Sequence, residues 1–195
     1  MKNLDDIWQE FIDQDALSTQ TINDLIWHIE NDERPGAISM ATDMIVRNPT
    51  GILLKKLISH LAKQLDNEDD FKREFAVNSV VGRLKLSEYA SKALDMAKND
   101  PYDNVRGLAS SHLGAVINKV DPNLRKQIAA YLYDAITNAI YDDWHKQCVY
   151  DAILEAMEVP IDTWPAIKSN PDISSMVDKN LLEKFKIKFN IGNEK

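Results

Sequence analysis

Apolar residues along this chain recur at intervals of three and four, the spacing that lays one stripe along a helix. Leu4, Ile7, Trp8, Phe11 and Ile12 form the first such stripe and predict a helix from Leu4 to Gln14. Ile22, Leu25, Ile26 and Ile29 form the second, with Ser18 or Thr19 as its cap and Arg34-Pro35-Gly36 as its break. Ala37 to Arg47 is a short third helix, stopped by Asn48-Pro49. Leu53, Leu54, Leu57, Ile58, Leu61 and Leu65 share a face of a helix expected over Thr50–Leu65, and Phe71–Leu84 returns from it after the acidic turn Asp66–Asp70. Past the break Lys85-Leu86-Ser87, the pattern predicts Ser87–Ala97, Asp103–Lys119, Pro122–Ile140 and Asp143–Glu158. Proline is tolerated in a first helical turn, so Asp121-Pro122 marks a start. Pro160, Pro165 and Pro171 punctuate a less regular stretch before a closing helix over Ser174–Lys186.

One pattern repeats within that series. Asp70-Phe71-Lys72-Arg73-Glu74-Phe75-Ala76, Asp103-Asn104-Val105-Arg106-Gly107-Leu108-Ala109 and Asp143-Trp144-His145-Lys146-Gln147-Cys148-Val149 each run acid, two spacers, cation, spacer, then two apolar or small residues. Each opens a return helix, and the copies start 33 and 40 residues apart. That period is characteristic of paired-helix repeats. An acid at a helix start meets the positive end of the dipole and is placed to cap exposed amides, and the cation lies one turn away. Val105, Leu108, Ala109, His112, Leu113, Val116 and Ile117 then form one stripe expected to be buried against the neighbouring pair.

The span Ser87–Asn118 resembles a HEAT-type repeat, carried by the turn Asp100-Pro101-Tyr102-Asp103, then Val105-Arg106 and Gly107-Leu108, leading into His112-Leu113-Gly114. Thr50–Leu84 is similar at Asp70, Arg73, Ala76 and Val80, and Pro122–Glu158 at Asp143, Lys146, Val149 and Ile153. The resemblance implies an all-α, HEAT-like α-α superhelix of about four to five antiparallel helix pairs. It would form a single solenoid domain over 1–195, with a degenerate repeat or cap at 1–48, three clearer repeats over 50–158 and a C-terminal cap at 159–195. The resemblance also implies that return helices line a concave surface. The outward positions expected there are Glu74, Asn78, Ser110, Ser111, Gln147, Tyr150, Asp151 and Leu154. It makes Asp103 and Arg106 structural ladder residues.

Composition narrows the function classes. Of 195 residues, 31 are acidic and 23 are Lys or Arg, a formal charge of −8. Phosphate is repelled at long range by such a chain, so nucleic acid is disfavoured and a basic protein partner favoured. The single cysteine forms no internal disulfide, the start Met1–Asp6 carries acids where a signal peptide needs an apolar run, and no segment approaches a membrane span. A cytoplasmic protein that engages no membrane is expected.

Catalytic and metal-binding patterns are absent from the sequence. His28, His60, His112 and His145 are scattered, with no His-Glu-x-x-His and no Cys or His pair at zinc spacing. His112, on the buried stripe, is expected to be a hydrogen-bonded core histidine. Asp66–Asp70 lacks the glycine and glutamate of a calcium loop. No base stands beside Cys148, and no phosphate-binding glycine loop occurs. Trp8, Trp27, Trp144 and Trp164 are expected mostly in the core. His145 beside Asp142, Asp143 and Trp144 is the one cluster of mixed chemistry, either a binding hot spot or a capped helix start with a packed indole.

These expectations converge on a non-catalytic protein-binding module without cofactor or metal. Its partner-binding candidates are Glu74, Asn78, Ser111, Asp143, Trp144, Gln147, Tyr150 and Asp151. A compact acidic binder of this kind is similar to bacterial immunity proteins, which are stoichiometric inhibitors of basic toxin domains. A general adaptor or assembly factor is the alternative, and a HEAT-like DNA glycosylase a further one.

Overall fold

The computed structural model describes residues 1–49, 54–138, 140–165 and 173–192, all helix, turn or irregular chain with no strand among them. No described helix is long and apolar enough to cross a membrane. The chain divides into two compact units, Met1–Lys85 and Leu86–Lys195. The division falls at the break expected around Lys85, whose backbone takes a left-handed φ of 52°.

The first unit contains α1 (Leu4–Gln14), α2 (Thr19–Asn31), α3 (Gly36–Arg47), α4 (Leu54–Lys63) and α5 (Asp70–Val77). Thr50–Leu53, the expected first turn of α4, lie outside the described residues. Its core is the predicted stripes laid together: Ile7 and Phe11 of α1, Ile22, Leu25 and Ile29 of α2, and Leu57 and Leu61 of α4. Asn3, Ser18 and Asp69 cap α1, α2 and α5, each side-chain oxygen accepting a backbone N–H three residues on. The Lys2 ammonium, the Ser18 amide and the Thr21 hydroxyl all reach the Glu10 carboxylate and hold its pKa down to about 2.

The return helix expected over Phe71–Leu84 changes form midway. After Val77 the chain widens into a π-helical stretch over Asn78–Arg83, with the Leu84 amide donating back five residues to the Ser79 carbonyl at 2.9 Å. Ser79, Val80 and Val81 stay buried through this widened turn.

In the second unit stand α6 (Ala90–Asn99), α7 (Asp103–Val116), α8 (Pro122–Thr137), α9 (Asp143–Ala156), α10 (Ile173–Met176) and α11 (Lys179–Lys188). The closing helix expected over Ser174–Lys186 is broken at Val177-Asp178, because Asp178 caps a new start through the Asn180 amide. α8 ends three residues earlier than its pattern predicts, leaving Ile140 beyond the helix.

α7 and α9 lie against one another along their length, and small residues allow it. A Cβ on Gly114 would overlap the carbonyl oxygen of Ala152 and sit 2.8 Å from its Cα. α8 also packs on α9, and Ile128 and Leu132 of α8 and Val149 and Ile153 of α9 are fully buried. Residues of the C-terminal part close over α9: the Asp178 amide donates to Tyr150 OH at 3.0 Å, and Lys188 Nζ to the Ala156 carbonyl at 2.8 Å.

A candidate partner-binding cleft at the starts of two return helices

α7 and α9 both begin with the repeated acid, and their first turns meet across a cleft of about 270 Å³ in the second unit. Asp103, Arg106, Ile140, Tyr141, Asp142, Trp144 and His145 line it. Asp142 builds its floor: its carboxylate accepts the His145 amide at 2.7 Å and caps α9. Trp144, one residue into that turn, is thrown outward over α7. Its six-membered ring lies where a Cβ of Gly107 would be, so the glycine is what admits the indole. The ring remains 42% exposed, and Ile140 beside it 78%.

Below the cleft runs a buried polar chain. Tyr131 OH donates to the Ala97 carbonyl at 3.0 Å, and its oxygen lies 2.7 Å from Ser110 Oγ and 3.1 Å from His145 Nε2. Ser110 Oγ is also 2.7 Å from the Arg106 carbonyl. Burial, with Arg106 helping, lowers the His145 pKa, while Asp142 opposes; Tyr141 stacks on the ring at 4.6 Å. Burial likewise pushes Tyr131 up to about 12.

Arg106 closes one side. Nη1 donates to the Asp100 carbonyl at 2.7 Å, and Nη2 bonds the Asp103 carboxylate of its own repeat. Two carboxylates, Asp103 and Asp142, thus line the cleft with one guanidinium, and Asp142 and the first-turn acids Asp103 and Asp143 already occupy the positive ends of both helices.

Other expected site residues are placed differently. Glu74 and Asn78 are half-buried in the first unit, Asn78 opening the π-helical stretch. Ser111 is half-buried and donates to the Leu108 carbonyl. Asp143 and Trp144 are exposed as expected. Gln147 and Tyr150 are not outward: they are 4% and 2% exposed, and Ser110 and Leu154 are buried as well. The reason is that α9 is covered on more sides than a return helix with an open concave face would be. Asp151, half-buried, accepts from Gln147 Nε2 at 2.8 Å, and burial raises its carboxyl pKa.

His112 also departs from expectation. Its Nε2 is buried with no hydrogen-bond partner among the described residues, and burial lowers its pKa to about 4, with Glu155 opposing. The Cys148 thiol is pushed up to about 12, first by burial and then by Asp151 and Asp142. Trp27, expected in the core, is 45% exposed. Arg106, Ile140 and Tyr141 line the cleft without a sequence signal for binding: the pattern makes Arg106 a ladder residue and Ile140 the end of a helix. No group of His, Cys, Asp or Glu among the described residues is arranged to hold a metal ion.

Fold and site together define an all-α protein with an aromatic, acid-rimmed cleft between two helix starts. No family model, no curated protein and no solved structure matches the chain.

Proposed function

We propose that this chain is a non-catalytic, HEAT-like protein-binding module, and specifically a stoichiometric inhibitor of a basic protein domain in the manner of an immunity protein. The observation that carries the reading is the cleft of the second unit, where an exposed tryptophan and isoleucine sit beside the carboxylates of Asp103 and Asp142. Tryptophan, tyrosine and arginine are the residues that dominate protein interfaces when packed centrally. Surplus acid in a chain of net charge −8 accelerates encounter with a basic partner and disfavours acidic ones. The buried chain Ser110–Tyr131–His145 holds the aromatic floor in one arrangement, which reduces the ordering cost of binding.

Affinity capture from native lysate, at moderate and then high salt, tests this. The expected result is one basic partner in one-to-one ratio whose own activity is lost in the complex and recovered when the complex is dissociated. Several salt-released partners with unaltered activity would replace the inhibitor with an adaptor. Recovered nucleic acid would overturn both and restore the glycosylase reading.

A further inference from the structure

We infer that the cleft between the starts of α7 and α9 seats an arginine side chain of the protein partner. This rests on the protein-binding reading and adds to it the chemistry of the anchor.

Among the described residues, two grooves combine a tryptophan with carboxylates, and in one of them the tryptophan already has its cation. In the first unit Asp5, Trp8, Ser39, Met40 and Asp43 line a groove. There the Arg47 guanidinium lies over the Trp8 ring at 5.1 Å, and Arg83 bridges Asp43 at 2.7 Å. The second unit has the same ingredients in Trp144, Asp103 and Asp142, yet among the described residues no cation lies over Trp144. The guanidinium that lines this cleft, Arg106, is committed to the Asp100 carbonyl and the Asp103 carboxylate. Each groove keeps one carboxylate, Asp5 or Asp142, beside one that is bridged by an arginine of the chain; the difference is that Trp8 already carries a guanidinium while Trp144 is left with an open aromatic face.

Guanidinium fits this cleft better than the other candidates. A planar fork can lie on an indole while donating sideways to carboxylates, which an ammonium, compact and strongly hydrated, does less well. An anion would need the helix starts, but Asp142 caps one and Asp103 and Asp143 occupy both first turns. At about 270 Å³ the cleft is below the usual ~300–1,000 Å³ of small-molecule sites and suits one side chain.

The test is an NMR titration of the full chain, following the Trp144 indole N–H, identified by its loss in Trp144→Phe. The probes are blocked tripeptides of Gly-Arg-Gly, Gly-Lys-Gly and Gly-citrulline-Gly, and inorganic phosphate. Citrulline matches arginine in shape and lacks its charge. The arginine peptide is expected to move the Trp144 signal and to bind about fivefold more tightly than the citrulline one, a ratio within the range of an exposed cation–π contact. Asp103→Asn, at an exposed position, is expected to weaken it about threefold while leaving the spectrum otherwise folded. Equal responses to all three peptides, or a larger response to phosphate, would overturn the anchor. So would arginine shifts confined to Trp8. If the anchor fails while a partner is still captured with unchanged affinity by Asp103→Asn, the protein-binding reading stands without it. An arginine-specific response in a chain that captures no protein leaves the seat established and removes the inhibitor.

Discussion

Arg73 and Arg106 occupy the same place in the repeated pattern, three residues after the acid, and meet different fates. Arg73, in the first unit, is 8% exposed, and its Nη1 donates to the carbonyls of Asn67 and Glu68 at 2.8 and 2.9 Å. Arg106, in the second, also turns back on a preceding carbonyl, that of Asp100, but its guanidinium stays half-open at the wall of a cleft. In both units the cation ties the turn to the helix it opens. Only in the second does a glycine follow it, at 107, and only there does an indole from the next return helix lie across the opening. The motif sets the backbone; the residue one step beyond it decides whether the site is a seal or a seat.

Four measurements sharpen or break that contrast. The largest effect is expected at Gly114, where an added methyl meets the backbone of Ala152 rather than a movable side chain. Gly114→Ala should cost about 3 kcal/mol in urea unfolding, after any gain in helix propensity. A neutral result would mean that α7 and α9 separate easily, and with it the rigid frame of the cleft would go.

Next comes acid. His112 is neutral in the fold down to about 4, whereas in the unfolded chain it titrates near 6.5. The unfolded state therefore takes the proton first. Stability from this group is fully present above pH 6.5 and is lost as the pH falls from there to about 4, by roughly 3 kcal/mol. His145 shifts in the same direction and Asp151 in the opposite one, since a raised carboxyl pKa favours the fold as pH falls. Urea midpoints at pH 7 and pH 4.5 should converge in His112→Leu. Unchanged pH dependence in that variant would assign the acid sensitivity elsewhere.

Arg73→Ala and Arg106→Ala address the comparison directly. Removing the buried Arg73 leaves the Asn67 and Glu68 carbonyls without their charged donor and should cost about 2 kcal/mol; Arg106→Ala, more solvated, about 1 kcal/mol. Equal costs would erase the distinction between seal and seat.

Smallest is Gly107→Ala. Its methyl meets only the outer edge of the Trp144 ring, which is exposed enough to swing aside. Stability should change by less than about 1 kcal/mol, while tryptophan fluorescence shifts and arginine-peptide binding weakens. A stable variant with unaltered binding would detach Trp144 from the cleft's function.

Helix boundaries were legible because each stripe of apolar residues needs only its own spacing, and the caps Ser18, Asp121 and the break at Lys85 follow local chemistry. The exposure of Asp143 and Trp144 was legible too, since a helix start fixes which way its first turn faces. The outward face expected at Ser110, Gln147, Tyr150 and Leu154 was not, because their burial depends on chain distant in sequence: Tyr131 on α8 reaches Ser110, and Asp178 reaches Tyr150. Asn78–Arg83 read as ordinary helix for a related reason. A π-helical turn adds one residue without disturbing the apolar composition, so Val80 and Val81 look the same in either form. At the repeats, the expected capping role passed one residue upstream at two of three starts, to Asp69 and Asp142, leaving Asp70 and Asp143 to the dipole alone.

The chain's one cysteine sits buried in α9, where burial and the nearby Asp151 and Asp142 push its thiol pKa up to about 12. A thiol reagent can modify it only when the second unit opens, because both access and the thiolate are withheld in the closed form. The first unit contains no thiol to compete. Labelling kinetics therefore time the opening of one half of this molecule without any engineered probe, and a partner seated at the start of α9 should slow that clock in proportion to how tightly it holds.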